Sequence, residues 1–462
     1  MEQKNNPLGS APVTPLMFKL IIPATAAQFI NLMYNMVDRI FIVRIPEIGE
    51  TALTAVGVTF PILLIVSAFA AFAGQGAAPL ASIAMGAKDQ KRAEGMLGGA
   101  VMLILAFTVL IMVVVTLFQE EILYAFGASD ATISYAMDYI SVYIMGTIFV
   151  LISLGLNLFI SAQGKAKIAM NSVLIGAIVN IVLDYIFIIQ FNFGVKGAAY
   201  ATIIAQACSA IWILCFLMGK GSSLKIRKEY LVFRWELIRP IMVLGFTPFV
   251  MYTTDSLVSI TLNKSLQIYG ELAFTGGGDI YVGVMTVLQS VMQMVNIPKN
   301  GLSQGAQPIM SYSYGARNYA RVREVFWKFF AASMVYHVIG TLIPCLFPTT
   351  LALIFTDEPQ WLSLVAETMP IYFAGIWAIG AQHACQNTFM ALGQAKIALF
   401  LACLRKLFLL VPLAILFPLV TGDVKSIFVA SPVADIVTSG VTFCLFLQRR
   451  KVLLPKDANV VT

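Results

Sequence analysis

Twelve apolar runs, each long enough to cross a bilayer, dictate what this chain can fold into. They fall at about residues 16–43, 54–84, 93–118, 133–162, 166–190, 197–218, 236–263, 280–310, 322–347, 361–392, 397–420 and 427–448. About 20 predominantly apolar residues cross the hydrocarbon core as a helix, which satisfies its own backbone hydrogen bonds where water is absent. Several runs exceed that length, which predicts tilt or extension past the bilayer. The reading is therefore an all-α, multi-pass protein of the cell membrane with twelve transmembrane helices. Composition agrees, since 59% of residues are hydrophobic and only 11% are charged. The net charge of +7 would suit a nucleic-acid partner in a soluble protein. Here the basic residues lie between apolar runs, where they set orientation, so nucleic-acid binding is discounted.

Lys and Arg crowd alternate connections. One side holds 21 of them, from Lys4 through Lys88, Lys165, Arg227 and Arg317 to Lys456, against only Arg44, Lys196, Lys264 and Lys425 on the other. The positive-inside bias predicts that both termini are cytoplasmic. The most basic connection follows the sixth run and divides the chain. This gives an N-terminal tail 1–15, a six-helix bundle 16–218, a basic linker 219–235, a second bundle 236–448 and a tail 449–462. The six cysteines lie inside apolar runs without CxxC spacing, and read as small buried hydrophobes, not disulfides or metal ligands. The first run lacks a small-residue cleavage site, so it is expected to remain in the protein.

The two bundles repeat one another. Gly74-Gln-Gly-Ala-Ala-Pro79, followed by Ser82 and Gly86-Ala-Lys88, matches Ser303-Gln-Gly-Ala-Gln-Pro308, followed by Ser311 and Gly315-Ala-Arg317, at an offset of 229. Pro23 and Asp38 match Pro240 and Asp255 in spacing. A repeat of six helices, an even number, makes the halves parallel repeats related by an axis along the membrane normal. Two bundles facing each other across a cleft suit a transporter that rocks one half against the other.

Polar residues inside the runs carry the chemistry. Gln28, Asn31, Asn35 and Asp38 fall on one face of the first helix, and a carboxylate there costs about 2.5 to 3.5 kcal/mol unless it faces protein or water. Asn180 and Asp184, four residues apart, share a face of the fifth helix, with Thr202 on the sixth and Tyr139 and Asn157 on the fourth. Converging, they would form an oxygen-rich nest for a proton or a small hard cation. The bland alternative is that each polar group only joins neighbouring helices. The eighth helix carries Met285, Gln289, Met292, Gln293 and Asn296, a face that suits loosely specified ligands as well as it suits ordinary packing. Arg405 with Asp435 reads as an interhelical ion pair, and His337 and His383 as core groups.

Pro23 with Asp38, Tyr139, Asn157, Asn180 with Asp184, Thr202 and the doubled Gln-Gly-Ala-x-Pro segments together resemble the multidrug and toxic compound extrusion (MATE) family. Ser311-Tyr-Ser-Tyr-Gly-Ala316 resembles its MepA-like branch. The resemblance implies a V-shaped pair of bundles and a multidrug exporter coupled to H+ or Na+, with no cofactor and no enzymatic activity. Its substrates would be amphipathic or cationic small molecules, and the protein would act as a monomer in the lipid bilayer. It also implies a cation site at Asp38, Asn180, Asp184 and Thr202, with Tyr139 and Asn157 in the same network, and Pro23 as a bend, a static kink being equally open. The second half departs from that site, because Leu409 and Leu413 stand where Asn180 and Asp184 repeat. Asp255 then reads either as a substrate-facing charge or as a partner for another donor. A lipid-linked oligosaccharide flippase is the alternative within the superfamily, and would be expected to line its cleft with several Arg and Lys. An intramembrane aspartyl protease would leave the duplication without a role.

Overall fold

The computed structural model describes residues 6–46, 48–355 and 359–455; Lys4, Lys456 and the outer parts of both tails lie outside them. Among the described residues there is no strand, and ten helices are long and apolar enough to span a membrane, or twelve if each of two bent pairs is one span. We number the spans α1 (Val13–Val43), α2 (Gly49–Gly86), α3 (Gln90–Ala125), α4 (Ile133–Met145 with Thr147–Ala162), α5 (Ala166–Gln190) and α6 (Gly194–Met218). The second half follows as α7 (Trp235–Ala273), α8 (Gly277–Gly315), α9 (Tyr319–Leu346), α10 (Pro359–Phe373 with Ile376–Ala391), α11 (Ala395–Thr421) and α12 (Ser426–Leu453). α7 and α8, at 39 residues each, outrun their apolar stretches, and the added end of α7 packs on the start of α8, where a Cβ on Gly270 would lie 2.8 Å from the Gly277 carbonyl oxygen.

The duplication is visible atom by atom. The Ser82 hydroxyl donates to the Ala162 carbonyl (3.1 Å), and Ser311 repeats this bond to Ala391 (2.8 Å). Asp89 caps α3 by accepting from the Arg92 amide, and Asn318 caps α9 by accepting from the Arg321 amide, each at 3.0 Å. α4 bends by 61° at Gly146 and α10 by 40° near Gly375. A Cβ on Gly146 would lie 2.3 Å from Ile203, and one on Gly375 2.5 Å from the Pro432 backbone, so each bend lets one helix press against its neighbour. All three pairs are related by the offset of 229 found in the sequence.

The halves close on each other at the end that bears the basic connections. α2 packs along α7, and α1 along α8. A Cβ on Gly86 would lie 1.9 Å from the Tyr312 carbonyl oxygen, and one on Gly315 1.9 Å from that of Ile83. Backbone meets backbone there, twice, by symmetry. Phe69 and Phe72 meet Phe249 across the same boundary in tilted and edge-on contacts, with ring centroids 5.0 and 5.8 Å apart. Beyond this layer the halves diverge: Asp255, at the middle of α7, is 64% exposed in its side chain.

Two segments read as simple connections are structured. The short helix Pro7–Ser10 inserts Leu8, fully buried, among residues of both halves at the closed end, and Arg321 holds it by donating to the Leu8 and Ala11 carbonyls (3.0 and 2.6 Å). The basic linker is clasped to the first half. Gln163 Oε1 accepts from the Ser222 hydroxyl and the Ser223 and Leu224 amides, and buried Glu94 pairs with Arg227 at 2.6 Å.

Candidate functional site

The first-half site forms where α1, α4, α5 and α6 converge. Asp184 closes the regular part of α5 and is followed by a π-helical turn, Tyr185–Gln190, which widens the helix immediately after the acid. Asn180 and Asp184 are 1% and 0% exposed. Asp38 approaches from α1, near enough for the two carboxylates to act on one another electrostatically. Four buried oxygens here, namely Asp38 Oδ1, Asn180 Oδ1 and both oxygens of Asp184, accept from no protein donor, and Asn180 Nδ2 is unpaired as well. Tyr139 lies against Thr202, and Tyr34 against Asn35 and Gln206, whose amide oxygen takes the Ser153 hydroxyl. The Arg39 guanidinium is directed over the Phe60 ring at 5.9 Å. Buried acceptors in this number, without donors, favour uptake of a proton or a hard cation.

The second half builds a different cluster from the same helices. α11 carries its own π-helical turn, Leu404–Leu410, which places Arg405 and Lys406 side by side in mid-membrane. Arg405 Nε bonds Asp435 Oδ1 at 2.7 Å, where Asp435 is fully buried. Lys406 Nζ bonds Asp255 Oδ1 at 2.6 Å and donates to the Met251 carbonyl at 2.7 Å. Lys299 of α8 lies within electrostatic reach of all four of these charges.

Comparison with known proteins places the chain. The family described as MatE matches residues 23–186 and 256–416, one segment in each half. The chain belongs to the MatE family. Among curated MatE relatives, the multidrug export protein MepA of Staphylococcus haemolyticus (strain JCSC1435) is 22% identical over 431 residues, covering 93% of both chains. The MepA of Staphylococcus aureus (strain N315) is 22% identical over 437 residues, 94% of both. Among solved structures, a MATE protein in complex with MaL6 superposes with a TM-score of 0.88 at 22% identity, over 97% of this chain and 99% of that one. A superfamily transporter from Pyrococcus furiosus, described as having a binding pocket of reverse polarity, gives the same TM-score and identity over 97% and 98%. The fold is therefore that of a multi-pass MatE transporter.

Within this MatE chain, the residues singled out from sequence do not all reach one place. Asp38 and Asp184 come together, with Tyr139 and Thr202 beside them and Asn180 one turn before Asp184 on α5, whereas Asn157 donates to the Ala169 carbonyl at 3.3 Å, about three helical turns before Asn180, and does not join them. Gln28 and Asn31 are half-buried, while Asn35 is exposed and its amide returns to the Asn31 carbonyl at 2.6 Å. Pro23 is buried inside an uninterrupted α1, between Ile21 and Thr25, where α8 comes closest. On α8, Met285 is fully buried in the second-half core, Gln289, Met292 and Asn296 are half-buried, and Gln293 is exposed. Asp255 has found its donor, Lys406. Sequence reasoning missed Lys299; the signal was a lone lysine after Pro298, inside an apolar run.

Arg405 and Asp435 yield a stability prediction. Arg405→Ala leaves a carboxylate buried and unpaired, which should cost about 3 to 5 kcal/mol. The double variant Arg405→Leu/Asp435→Leu removes both charges and should recover most of that loss. Denaturant titration of the purified protein in detergent checks both outcomes.

Proposed function

We propose that this protein exports amphipathic small molecules from the cell by alternating access, in exchange for protons taken up at Asp38 and Asp184. The observation that carries this reading is the pair of neighbouring carboxylates, three of whose four oxygens are buried and accept from no protein donor. Two acids so placed in a low-dielectric interior cannot both remain ionised cheaply, so binding one proton relieves their repulsion. Each charge moved across the membrane supplies about 2.3 kcal/mol per 100 mV, enough to bias a transport cycle. The relatives named as multidrug export proteins support export over import.

The closed end bears the basic connections, so with those connections cytoplasmic the cleft opens outward. Loading the acids from outside would then bias the return to an inward-open form, in which cargo is collected. Sodium is the second reading, favoured by the four unpaired oxygens, since oxygen donors suit a hard cation.

Proteoliposomes with imposed gradients test the proposal. An inward-directed pH gradient should drive ethidium out of the compartment equivalent to the cytoplasm, and an equal sodium gradient without a pH gradient should not. Ethidium movement under the sodium gradient alone selects the sodium reading. Movement under neither gradient overturns coupled export.

A further inference from the structure

The second-half cluster carries an unbalanced positive charge. Three cationic side chains, Lys299, Arg405 and Lys406, face two carboxylates, Asp255 and Asp435. Each carboxylate already has its own partner: Asp435 takes Arg405 and Asp255 takes Lys406. Lys299 Nζ has no hydrogen-bond or ion-pair partner among the described residues, although it sits on the same side of the bundle as the other four charges.

The neighbouring histidines do not change this balance. The Asn387 amide donates to His383 Nδ1 at 3.0 Å, leaving Nε2 to bond the Lys299 carbonyl at 3.2 Å and the Ser303 hydroxyl at 2.7 Å. His337 donates from Nδ1 to the Ser333 carbonyl at 2.7 Å, and its Nε2 is buried without a partner. Both rings are thus bonded as neutral imidazoles. His383 has a positioning effect, since its bond to the Lys299 carbonyl holds the turn of α8 that carries the lysine.

The surplus cation is also reachable. Lys299 is half-buried at residue 23 of the 39 in α8, and Asp255, equally central in α7, is 64% exposed. Both side chains therefore border open space at this depth. An unpaired ammonium next to two other cations costs free energy that an incoming anion would recover.

We propose that the second half of the cleft holds an anion subsite centred on Lys299, which takes the negatively charged head of an amphipathic substrate. This inference rests on the export reading and names a substrate class different from the cationic compounds implied by resemblance. The Lys406–Asp255 and Arg405–Asp435 pairs flank the subsite as its walls. They supply field without needing the ligand, because their charges are already matched.

The test is equilibrium binding, which does not depend on transport. The whole protein is placed in phosphatidylcholine nanodiscs and titrated with dansylglycine, a small amphipathic carboxylate, and with dansylglycinamide, its uncharged counterpart. Wild-type protein should bind the carboxylate at least about tenfold more tightly than the amide, as expected for a charge-assisted bond in a partly dry site. Lys299→Gln should abolish that preference and Lys299→Arg should keep it. Asp255→Asn should strengthen carboxylate binding, a gain that a misfolded variant cannot produce. A preference unchanged in Lys299→Gln, or a wild type that binds both probes equally, overturns the subsite. Repeating the titration with phosphatidylglycerol in the disc separates two sources of the same chemistry: Lys299-dependent loss of dansylglycine binding assigns the subsite to an anionic lipid head group, and unchanged binding assigns it to soluble carboxylates. Ethidium export without carboxylate binding would leave the export reading standing and reject only this substrate class.

Discussion

Export driven by an ion gradient falls to the background of protein-free membranes when either Asp38 or Asp184 is replaced by asparagine. Asparagine keeps the shape of the side chain but removes the titratable group, so under the proposed proton exchange the cycle has nothing to couple to. Stability should move the other way. Asp184 is fully buried and neither of its oxygens accepts from a protein donor, so the wild-type site holds a group that costs stability. The two variants should accumulate normally and melt no lower than the wild type in detergent. Gradient-driven efflux measured beside thermal unfolding reads both quantities. Retained efflux in both variants would place the coupling group elsewhere.

The second large effect is expected at the closed end. Gly86 and Gly315 each meet the backbone of the opposite half at a distance that leaves no room for a Cβ. Alanine at either position should disfavour this arrangement by about 1 to 3 kcal/mol, in the range typical of overpacking. Because about 1.4 kcal/mol is a factor of ten in population, the double variant should leave the closed end largely open. Lys91 and Ala320 are exposed, and lie in the two halves on that same rim. Spin labels at Lys91→Cys and Ala320→Cys should therefore report a longer and broader distance in Gly86→Ala/Gly315→Ala than in the parent. Transport should fall with it, since the cycle must pass through the closed form. An unchanged distance distribution would show that the helices absorb the added methyl groups by shifting elsewhere.

Much of the first-half site was legible in advance because acids are rare in spans and because helical spacing assigns faces. Asp38 stands out from its apolar run, and Asn180 with Asp184 follows the period of four. The second-half cluster was harder to read. Arg405 and Asp435 could be paired on charge alone, but Asp255 had no visible partner, and its donor Lys406 is turned toward it by a π-helical turn that apolar sequence does not signal. Leu409 and Leu413 stand where the repeat of Asn180 and Asp184 would fall. Lys299 was overlooked because a single lysine scarcely disturbs the hydropathy of a long run. Leu8 was likewise hidden in a polar lead segment, yet it packs between both halves.

The sequence by itself determined the all-helical fold, its twelve candidate spans and its duplication. Each follows from local rules: apolar length sets a span, and a fixed offset exposes a repeat. Only the tertiary structure decided which charges find one another and where the halves touch. Those outcomes depend on helix rotation, on bends of 61° and 40°, and on two glycines that let backbones meet across a boundary 229 residues apart in sequence. A pattern of hydropathy carries no information about them, because rotating a helix about its axis changes its neighbours without changing its composition.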